Sequence, residues 1–250
     1  MGGAPRPARV PRNRRVVRLR VAALYDVHGN LPALEAVLAD VRSERPDVLL
    51  FGGDIVSGPL PKQTLELVRS LEGAVFIRGN ADVLSTPRPN PEIDAGVRWV
   101  EAQLGEGEIR WLSELPFSWS ADDALYVHAN PRDIEAPFHE WTPEDELREW
   151  GQDVAETSIV TGHVHMQWDR TVDGKRWIGA GSVGMPYEET PGAYWALLDD
   201  GRLDFRRTDY DLESAAAVVL ASGHPQADEF ASENVLRVPS RAEARAAFGF

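Results

Sequence analysis

The 250-residue sequence contains no cysteine. This absence excludes both a disulfide framework and a metal site built from thiolates. Long apolar runs are missing as well, because nothing in the chain approaches the roughly 18 consecutive apolar residues that a membrane-spanning helix requires. We therefore expect a cytoplasmic protein with no membrane partner.

Basic side chains are scarce: 26 lysines and arginines stand against 40 acidic residues, for a formal net charge of −14. Phosphate backbones require a basic face, so this balance argues against a stable nucleic-acid partner. Seven arginines nevertheless lie within the first 20 residues, which hold no acidic residue. Residues 1–15 lack the apolar core of a signal peptide and are predicted to be a flexible basic tail. An overlong translation start and a nucleic-acid or membrane arm are the alternatives.

Residues 16–250 are long enough for a single large domain. In their first third, short apolar runs alternate with segments whose apolar residues recur at helical spacing. This order predicts an α/β protein with a parallel sheet and crossover helices. The predicted elements are a strand at 16–25, a helix at Leu31–Glu44, a strand at Val48–Phe51, a helix at 61–71 and a strand at 74–77.

The pattern then changes twice. Residues 87–116 are predicted to form a helical insertion, after which strands recur at 124–127 and 158–161. Between these two strands, Thr142 is predicted to cap a helix that runs to about residue 155. In the last third, Asp173-Gly174 and Asp200-Gly201 lie between alternating residues, which is typical of hairpins. The two halves of the chain therefore fit two facing sheets.

Polar side chains follow the predicted strands at their carboxyl ends, where ligands collect in parallel sheets. Four of the six histidines are among them, and a lone histidine in such a place is usually structural. Four histidines together with two aspartates and an asparagine supply enough nitrogen and oxygen ligands for two metal ions that share one carboxylate. The candidate metal ligands are Asp26, His28, Asp54, Asn80, His128, His163 and His165.

The order and spacing of these residues resemble those of the calcineurin-like metallophosphoesterases over about residues 16–211. Five separated motifs agree, and the Leu-Pro-Ala-Leu-Glu helix after the first motif is similar to that of the small bacterial and archaeal phosphodiesterases. The resemblance implies an α/β fold in which two sheets form a sandwich flanked by helices. The motifs are Asp26-Val27-His28-Gly29, Gly53-Asp54, Gly79-Asn80, His128 and Gly162-His163-Val164-His165.

By position, the resemblance places Asp26, His28 and His165 on one metal ion and Asn80, His128 and His163 on the other. Asp54 would bridge the two ions, which would be Mn, Ni, Fe or Zn. It also implies a hydroxide between the two ions as the nucleophile, with no covalent intermediate. Asp54, Asn80 and His128 are the expected catalytic residues, and Asn80 would also lie close to a phosphoryl oxygen.

One position departs from the family pattern. The third motif usually reads Gly-Asn-His followed by an acid, and its histidine is thought to protonate the leaving group or hold the phosphate. Here Ala81 stands in its place and can do neither. We therefore predict a preference for leaving groups that depart without a proton, such as aryl oxides or nucleotide phosphates.

Arg132 is the predicted phosphate contact, because its guanidinium matches phosphate oxygens in bidentate fashion. The alternative for this side chain is an ion pair with Asp133 or Glu135. Asn80 and Arg132 are thus the expected substrate-binding residues.

The predicted function is that of a dinuclear metal-dependent phosphodiesterase or nucleotide pyrophosphohydrolase. Its substrate would be a small phosphorylated molecule, and a nucleotide in the case of the anhydrides. The alternatives are a phosphomonoesterase and a metal-free interaction module like the retromer subunit of this fold. All seven candidate positions hold residues that are able to bind metal, which favours an enzyme over the metal-free module.

Overall fold

A computed structural model of the chain describes residues 18–249. The predicted basic tail therefore lies outside the described residues. The strands are β1 (Arg20–Leu24), β2 (Val48–Phe51), β3 (Val75–Phe76), β4 (Ser118–Ala121), β5 (Ala124–Val127), β6 (Ser158–Thr161), β7 (Gln167–Val172), β8 (Lys175–Ala180), β9 (Ala193–Asp199) and β10 (Arg202–Thr208).

The helices fall mostly where the apolar spacing predicts them. A single 3₁₀ turn covers Asn80–Asp82, and a π-helical segment covers Ala231–Leu236. The α-helices are α1 (Leu31–Glu44), α2 (Pro61–Arg69), α3 (Pro91–Gln103), α4 (Glu106–Ser113), α5 (Glu144–Gly151), α6 (Leu212–Leu220), α7 (Ala227–Phe230) and α8 (Arg241–Ala247). Within residues 18–249, none of these helices is long and apolar enough to cross a bilayer.

The strands form two five-stranded mixed sheets, in the orders β10-β9-β1-β2-β3 and β4-β5-β6-β8-β7. In the first sheet β1, β2 and β3 run parallel to one another. Strand β9 pairs antiparallel with β1, and β10 pairs antiparallel with β9. In the second, β5, β6 and β8 run parallel, with β4 and β7 antiparallel at the edges. The arrangement confirms the predicted two-sheet α/β sandwich.

The core explains why the two sheets face each other. Val21, Leu50 and Ile77 of the first sheet pack with Val160 and Ile178 of the second in one buried cluster. Helices α1 to α4 cover the outer face of the first sheet, and α5 and α8 cover that of the second. At about 25 cal/mol per Å² of apolar area, burial of both faces of each sheet is the main stabilising term.

Two local predictions differ from the structure. Strand β4 was not expected, because Ser118–Ala121 alternates weakly and stays partly exposed at the sheet edge, where pairing with β5 decides its conformation. Helix α5 begins after Pro143 rather than at Thr142. The Thr142 hydroxyl instead accepts a hydrogen bond from the His139 amide at 2.9 Å, so it is not available as a cap.

Candidate metal centre

The seven predicted ligands come from loops that leave the carboxyl ends of strands in both sheets. Asp26 and His28 follow β1, Asp54 follows β2, and Asn80 follows β3. His128 follows β5, while His163 and His165 follow β6. The sandwich thus brings residues that are up to 139 positions apart in sequence to one edge.

Two groups of three side chains offer one ligand atom each, all within 4.8 Å of one another inside a group. The first group is Asp26, His28 and His165, and the second is Asp54, His128 and His163. The Asp54 Oδ2 atom lies 3.5 Å from the Nε2 atoms of both His28 and His128. Asp54 therefore stands between the two groups, as a shared carboxylate must.

Five of the ligand residues adopt left-handed backbone conformations, with φ between 47° and 63°. Non-glycine residues rarely occupy this region, and each costs of order 1 kcal/mol or more unless its surroundings hold it. Here the amides of Asp26 and His28 donate to the carbonyl oxygens of Gly53 and Asp54 at 3.1 and 2.9 Å, which fixes the loops after β1 and β2 against each other. The five residues are Asp26, His28, Asp54, His163 and His165.

Close backbone approach explains the glycines next to these ligands. A Cβ atom on Gly79 would lie 2.1 Å from Asp54 Oδ1, and one on Gly162 would lie 2.4 Å from Asp26 Oδ2. Any side chain at either position would displace a carboxylate of the site. The Gly-Asn and Gly-His pairs of the sequence are therefore steric requirements of the metal centre.

Backbone groups orient both carboxylates. Asp26 Oδ2 accepts from the His163 amide at 2.8 Å, and Asp54 Oδ1 accepts from the Ala81 amide at 2.7 Å. The other oxygen of each carboxylate faces the histidines. Asp26 Oδ1 is buried and has no hydrogen-bond partner. A buried oxygen without a partner lowers the stability of the fold unless a cation lies next to it.

Each of the four histidines of the site has one ring nitrogen within hydrogen-bond distance of a backbone carbonyl oxygen. Since a carbonyl oxygen only accepts, that nitrogen carries the proton and leaves the other nitrogen toward the cluster. The Nδ1 atoms of His28, His128 and His165 face the carbonyls of Ser57, Gly52 and Met185, whereas His163 uses Nε2 toward Glu135.

Two of these free nitrogens oppose each other. The Nε2 atoms of His28 and His165 lie 3.3 Å apart, and burial lowers the pKa of both imidazoles below the ordinary value. Two neutral imidazoles then direct lone pairs at each other and at the unpaired Asp26 oxygen. A divalent transition metal, which prefers imidazole and carboxylate ligands, satisfies all three atoms. The residues present therefore fit a metal ion.

The carboxylates around the second group favour positive charge on His128. Burial opposes a charge on His128, but the carboxylates of Asp54 and Asp26 outweigh it and raise its pKa to about 10. Burial, followed by the charge of His128, lowers the pKa of His163 to about 4. His128 Nε2 also lies 2.9 Å from Asn80 Oδ1. A metal ion in this group would replace the His128 proton, with Asn80 as a further oxygen ligand.

Asp82 holds the backbone beneath the two groups in place. Its carboxylate accepts three hydrogen bonds, from the amides of Asp54, Ile55 and Gly79 at 2.9, 3.0 and 2.8 Å. The side chain is completely buried, and its pKa is raised to about 7 by burial and by the charge of Asp54. Asp82 thus fixes the loops that carry Asp54 and Asn80.

Replacing Asp82 with alanine is expected to lower the free energy of unfolding by about 3 kcal/mol or more, because three buried amides lose their acceptor. Denaturant unfolding of the metal-free protein measures this loss. Asp145→Ala is the matched control, since Asp145 is an exposed carboxylate in the first turn of α5. A difference below about 1 kcal/mol between the two variants would contradict the supporting role of Asp82.

A cavity of about 590 Å³ lies above the two groups. Its floor includes His28, Asp54, Asn80, His163 and His165. The walls come from the loop after β8, from the segment before α3, from α3 itself and from the C-terminal region. Sequence reasoning placed none of the last three at the site. These wall residues include Arg88, Asn90, Ile93, Val97, Met185, His224, Phe230 and Asn234.

Arg132 is the predicted site residue that the structure does not bring to the cavity. Its guanidinium donates to Asp153 at 2.9 Å and lies 3.9 Å from Glu149. Both partners belong to α5 or the turn after it, so electrostatic pairing holds the side chain away from the metal groups. The ion pair is therefore made with Asp153 and Glu149 and not with Asp133 or Glu135, the alternative that the sequence offered, while the phosphate contact stays a prediction.

Sequence and structure comparisons agree with this geometry. The family model described as calcineurin-like phosphoesterase matches residues 19–224. An uncharacterised protein of Methanocaldococcus jannaschii is 25% identical over 241 residues, which cover 84% of this chain and 96% of that protein.

Among solved structures, a metallophosphoesterase from Sphaerobacter thermophilus is 26% identical with a TM-score of 0.70, and the match covers 85% of this chain and 97% of the other. A hypothetical protein from Pyrococcus horikoshii OT3 has the same fold, with 19% identity, a TM-score of 0.75 and coverage of 88% and 99%. With the family model matched over most of the sequence and both metal-ligating groups assembled, the chain belongs to the calcineurin-like phosphoesterase family.

Proposed function

We propose that the protein is a dinuclear metal-dependent hydrolase of phosphodiesters or nucleotide anhydrides. The observation that carries the proposal is the position of Asp54, whose Oδ2 atom is equidistant from His28 and His128 at the floor of the cavity. A carboxylate between two complete ligand groups is the arrangement that two-metal phosphoryl transfer requires.

The chain's own residues have distinct roles in this proposal. Asp26, His28 and His165 would hold one ion, Asn80, His128 and His163 the other, and Asp54 would contact both. When bound, the ions supply a nucleophilic water of lowered pKa and neutralise charge on the phosphoryl group. Asn80 is partly exposed on the cavity floor, so its amide would also face a phosphoryl oxygen.

The departure of the leaving group depends on position 81. As water oxygen bonds to phosphorus, the phosphorus–oxygen bond to the leaving group breaks and its electron pair passes to the leaving oxygen. Ala81 lines the cavity but has no proton to give. Leaving groups that are stable as anions are therefore favoured, which supports aryl diesters and nucleotide anhydrides over alkyl monoesters.

The cavity suits a small phosphorylated molecule. Its volume of about 590 Å³ lies within the range of roughly 300–1,000 Å³ typical of small-ligand sites. Polar atoms lie on the floor, while Ile93, Val97, Met185 and Phe230 provide apolar walls. A substrate with a charged phosphate and a flat organic group matches both surfaces.

A substrate panel tests the proposal. The protein is stripped with a chelator and reconstituted separately with Mn, Ni, Mg or Zn. Each form is then assayed on bis-p-nitrophenyl phosphate, p-nitrophenyl phosphate, a cyclic nucleotide and diadenosine tetraphosphate. We expect metal-dependent cleavage with the diester and the anhydride ahead of the monoester. A monoester preference favours the phosphomonoesterase alternative, and inactivity with all four metals contradicts an enzymatic role.

A further inference from the structure

Arg88 is a cation at the metal centre that the proposed function leaves without a role. It lies in the linker before α3, and its side chain is 15% exposed. The guanidinium lines the cavity beside Asn80 and Ala81. The backbone amide of Arg88 donates to Asp94 Oδ1 at 2.9 Å, which ties the linker to the first turn of α3.

Two carbonyl oxygens fix the guanidinium at the site. Nη2 donates to the carbonyls of Asn80 at 2.7 Å and Val83 at 3.4 Å. Because Asn80 is a proposed metal ligand, its carbonyl holds the positive charge of Arg88 directly next to the metal centre. A guanidinium has five N–H donors, so these two bonds leave donors for a ligand.

One exposed carboxylate occupies the place that an anionic ligand would take. Glu135 Oε1 lies 3.5 Å from Arg88 Nη1, and Glu135 Oε2 accepts from Asn80 Nδ2 at 3.3 Å. The Glu135 side chain is 59% exposed, so it is free to move aside. A phosphate oxygen that replaced it would contact both Arg88 and Asn80.

From this placement we infer that Arg88 binds the phosphate of the leaving group and makes phosphoanhydrides the preferred substrate class. The inference rests on the proposed function and names its substrate. Ala81 next to it has no polar side-chain atom, which leaves this side of the cavity to the guanidinium. Arginine remains protonated in proteins and cannot supply a proton.

Arginine therefore assists a leaving group by pairing with its negative charge, and it gains most where several oxygens carry that charge. In anhydride cleavage the bond between phosphorus and the bridging oxygen breaks, and the electron pair remains on the departing phosphate. Arg88 Nη1 and Asn80 Nδ2, which face the two carboxylate oxygens of Glu135, would then donate to two oxygens of that phosphate. An aryl oxide offers a single oxygen and gains far less from Arg88.

The test compares Arg88→Gln and Arg88→Lys with the natural chain. Arg98→Gln is the matched control, because Arg98 lies on the adjoining helix α3 but is exposed and paired with Asp94. We expect Arg88→Gln to lower kcat/KM for diadenosine tetraphosphate roughly 10- to 100-fold, the value of a lost charge-assisted hydrogen bond. Cleavage of bis-p-nitrophenyl phosphate should change less than about threefold, and Arg88→Lys should restore only part of the loss.

Binding supplies a readout that does not depend on turnover. Calorimetric affinity of the metal-loaded protein for inorganic pyrophosphate should fall about tenfold in Arg88→Gln and stay unchanged in Arg98→Gln. An equal loss on both substrates would show that Arg88 only supports the linker and would overturn the inference, as would no loss on either. If the natural chain cleaves the diester but not the anhydride, the inference fails and the proposed function stands. If it cleaves neither, the proposed function itself is wrong and the inference fails with it.

Discussion

Replacing Asp54 with alanine is expected to abolish phosphoesterase activity and most metal affinity in a single step. Its Oδ2 atom faces both ligand groups at equal distances from His28 and His128, so one truncation removes a ligand from each ion. Two-metal catalysis contributes several kcal/mol of charge stabilisation, and we expect kcat to fall at least roughly 10³-fold.

The Asp54→Asn variant distinguishes the effect of losing the negative charge from the effect of losing the side chain. The amide keeps an oxygen for the Ala81 amide, which now donates to Asp54 Oδ1 at 2.7 Å, but it removes the negative charge between the ions. Metal content by elemental analysis and kcat are measured for each variant, with circular dichroism as the control for folding. Near-normal turnover in a folded Asp54→Ala protein would show that the bridging role is wrong.

Ala81→His is expected to change which substrates the protein cleaves well. The backbone amide of residue 81 already binds Asp54, and the side chain faces the cavity. An imidazole there would place a proton donor on the leaving-group side. General acid catalysis is worth about 10²–10⁴-fold, and the gain should be largest where the leaving group is poorest.

The measurement is the dependence of kcat/KM on the pKa of the leaving group, for a series of aryl and alkyl diesters. The natural chain should show a steep negative slope, and Ala81→His should flatten it. Equal slopes would mean that another residue donates the proton. His139 is then a poor candidate, because it is buried against Thr142, whereas His224 lines the cavity and becomes the first residue to replace.

Much of the site follows from the sequence because strand ends are local features. The short apolar strands and the Gly-Asp, Gly-Asn and Gly-His pairs that follow them are visible in one pass along the chain. Parallel topology then forces those ends to one edge of each sheet. The seven candidate ligands can therefore be identified without knowing any side-chain conformation. The structure places all seven residues at the floor of the site or directly beneath it.

Other features depend on contacts between distant segments and have no local signal. The left-handed conformations of Asp26, His28 and Asp54 arise from hydrogen bonds between two loops. Arg132 sits next to the His128 motif in sequence, yet acidic residues on and after α5 draw its side chain away. Arg88 belongs to a proline-rich linker, where nothing in the composition marks a residue that reaches Asn80.

The C-terminal region is another part of the site that has no local signal in the sequence. Residues from 226 onward read as a loose, charged amphipathic stretch, but Phe230 is nearly buried among the helices α6 and α7 and also lines the cavity. The contact with α3 is close: a Cβ atom on Gly96 would lie 2.9 Å from Gln226 Oε1. Only tertiary packing reveals that this segment closes the site.

The most direct test of the dinuclear account is the metal stoichiometry of the reconstituted protein. Chelator-stripped protein is titrated with Mn or Ni, freed of unbound metal and analysed for metal per chain, while kcat for bis-p-nitrophenyl phosphate is followed across the same titration. The account predicts that metal content approaches two equivalents and that activity rises to its maximum only as the second is bound. A firm ceiling of one equivalent, with full activity at that ceiling, would contradict it.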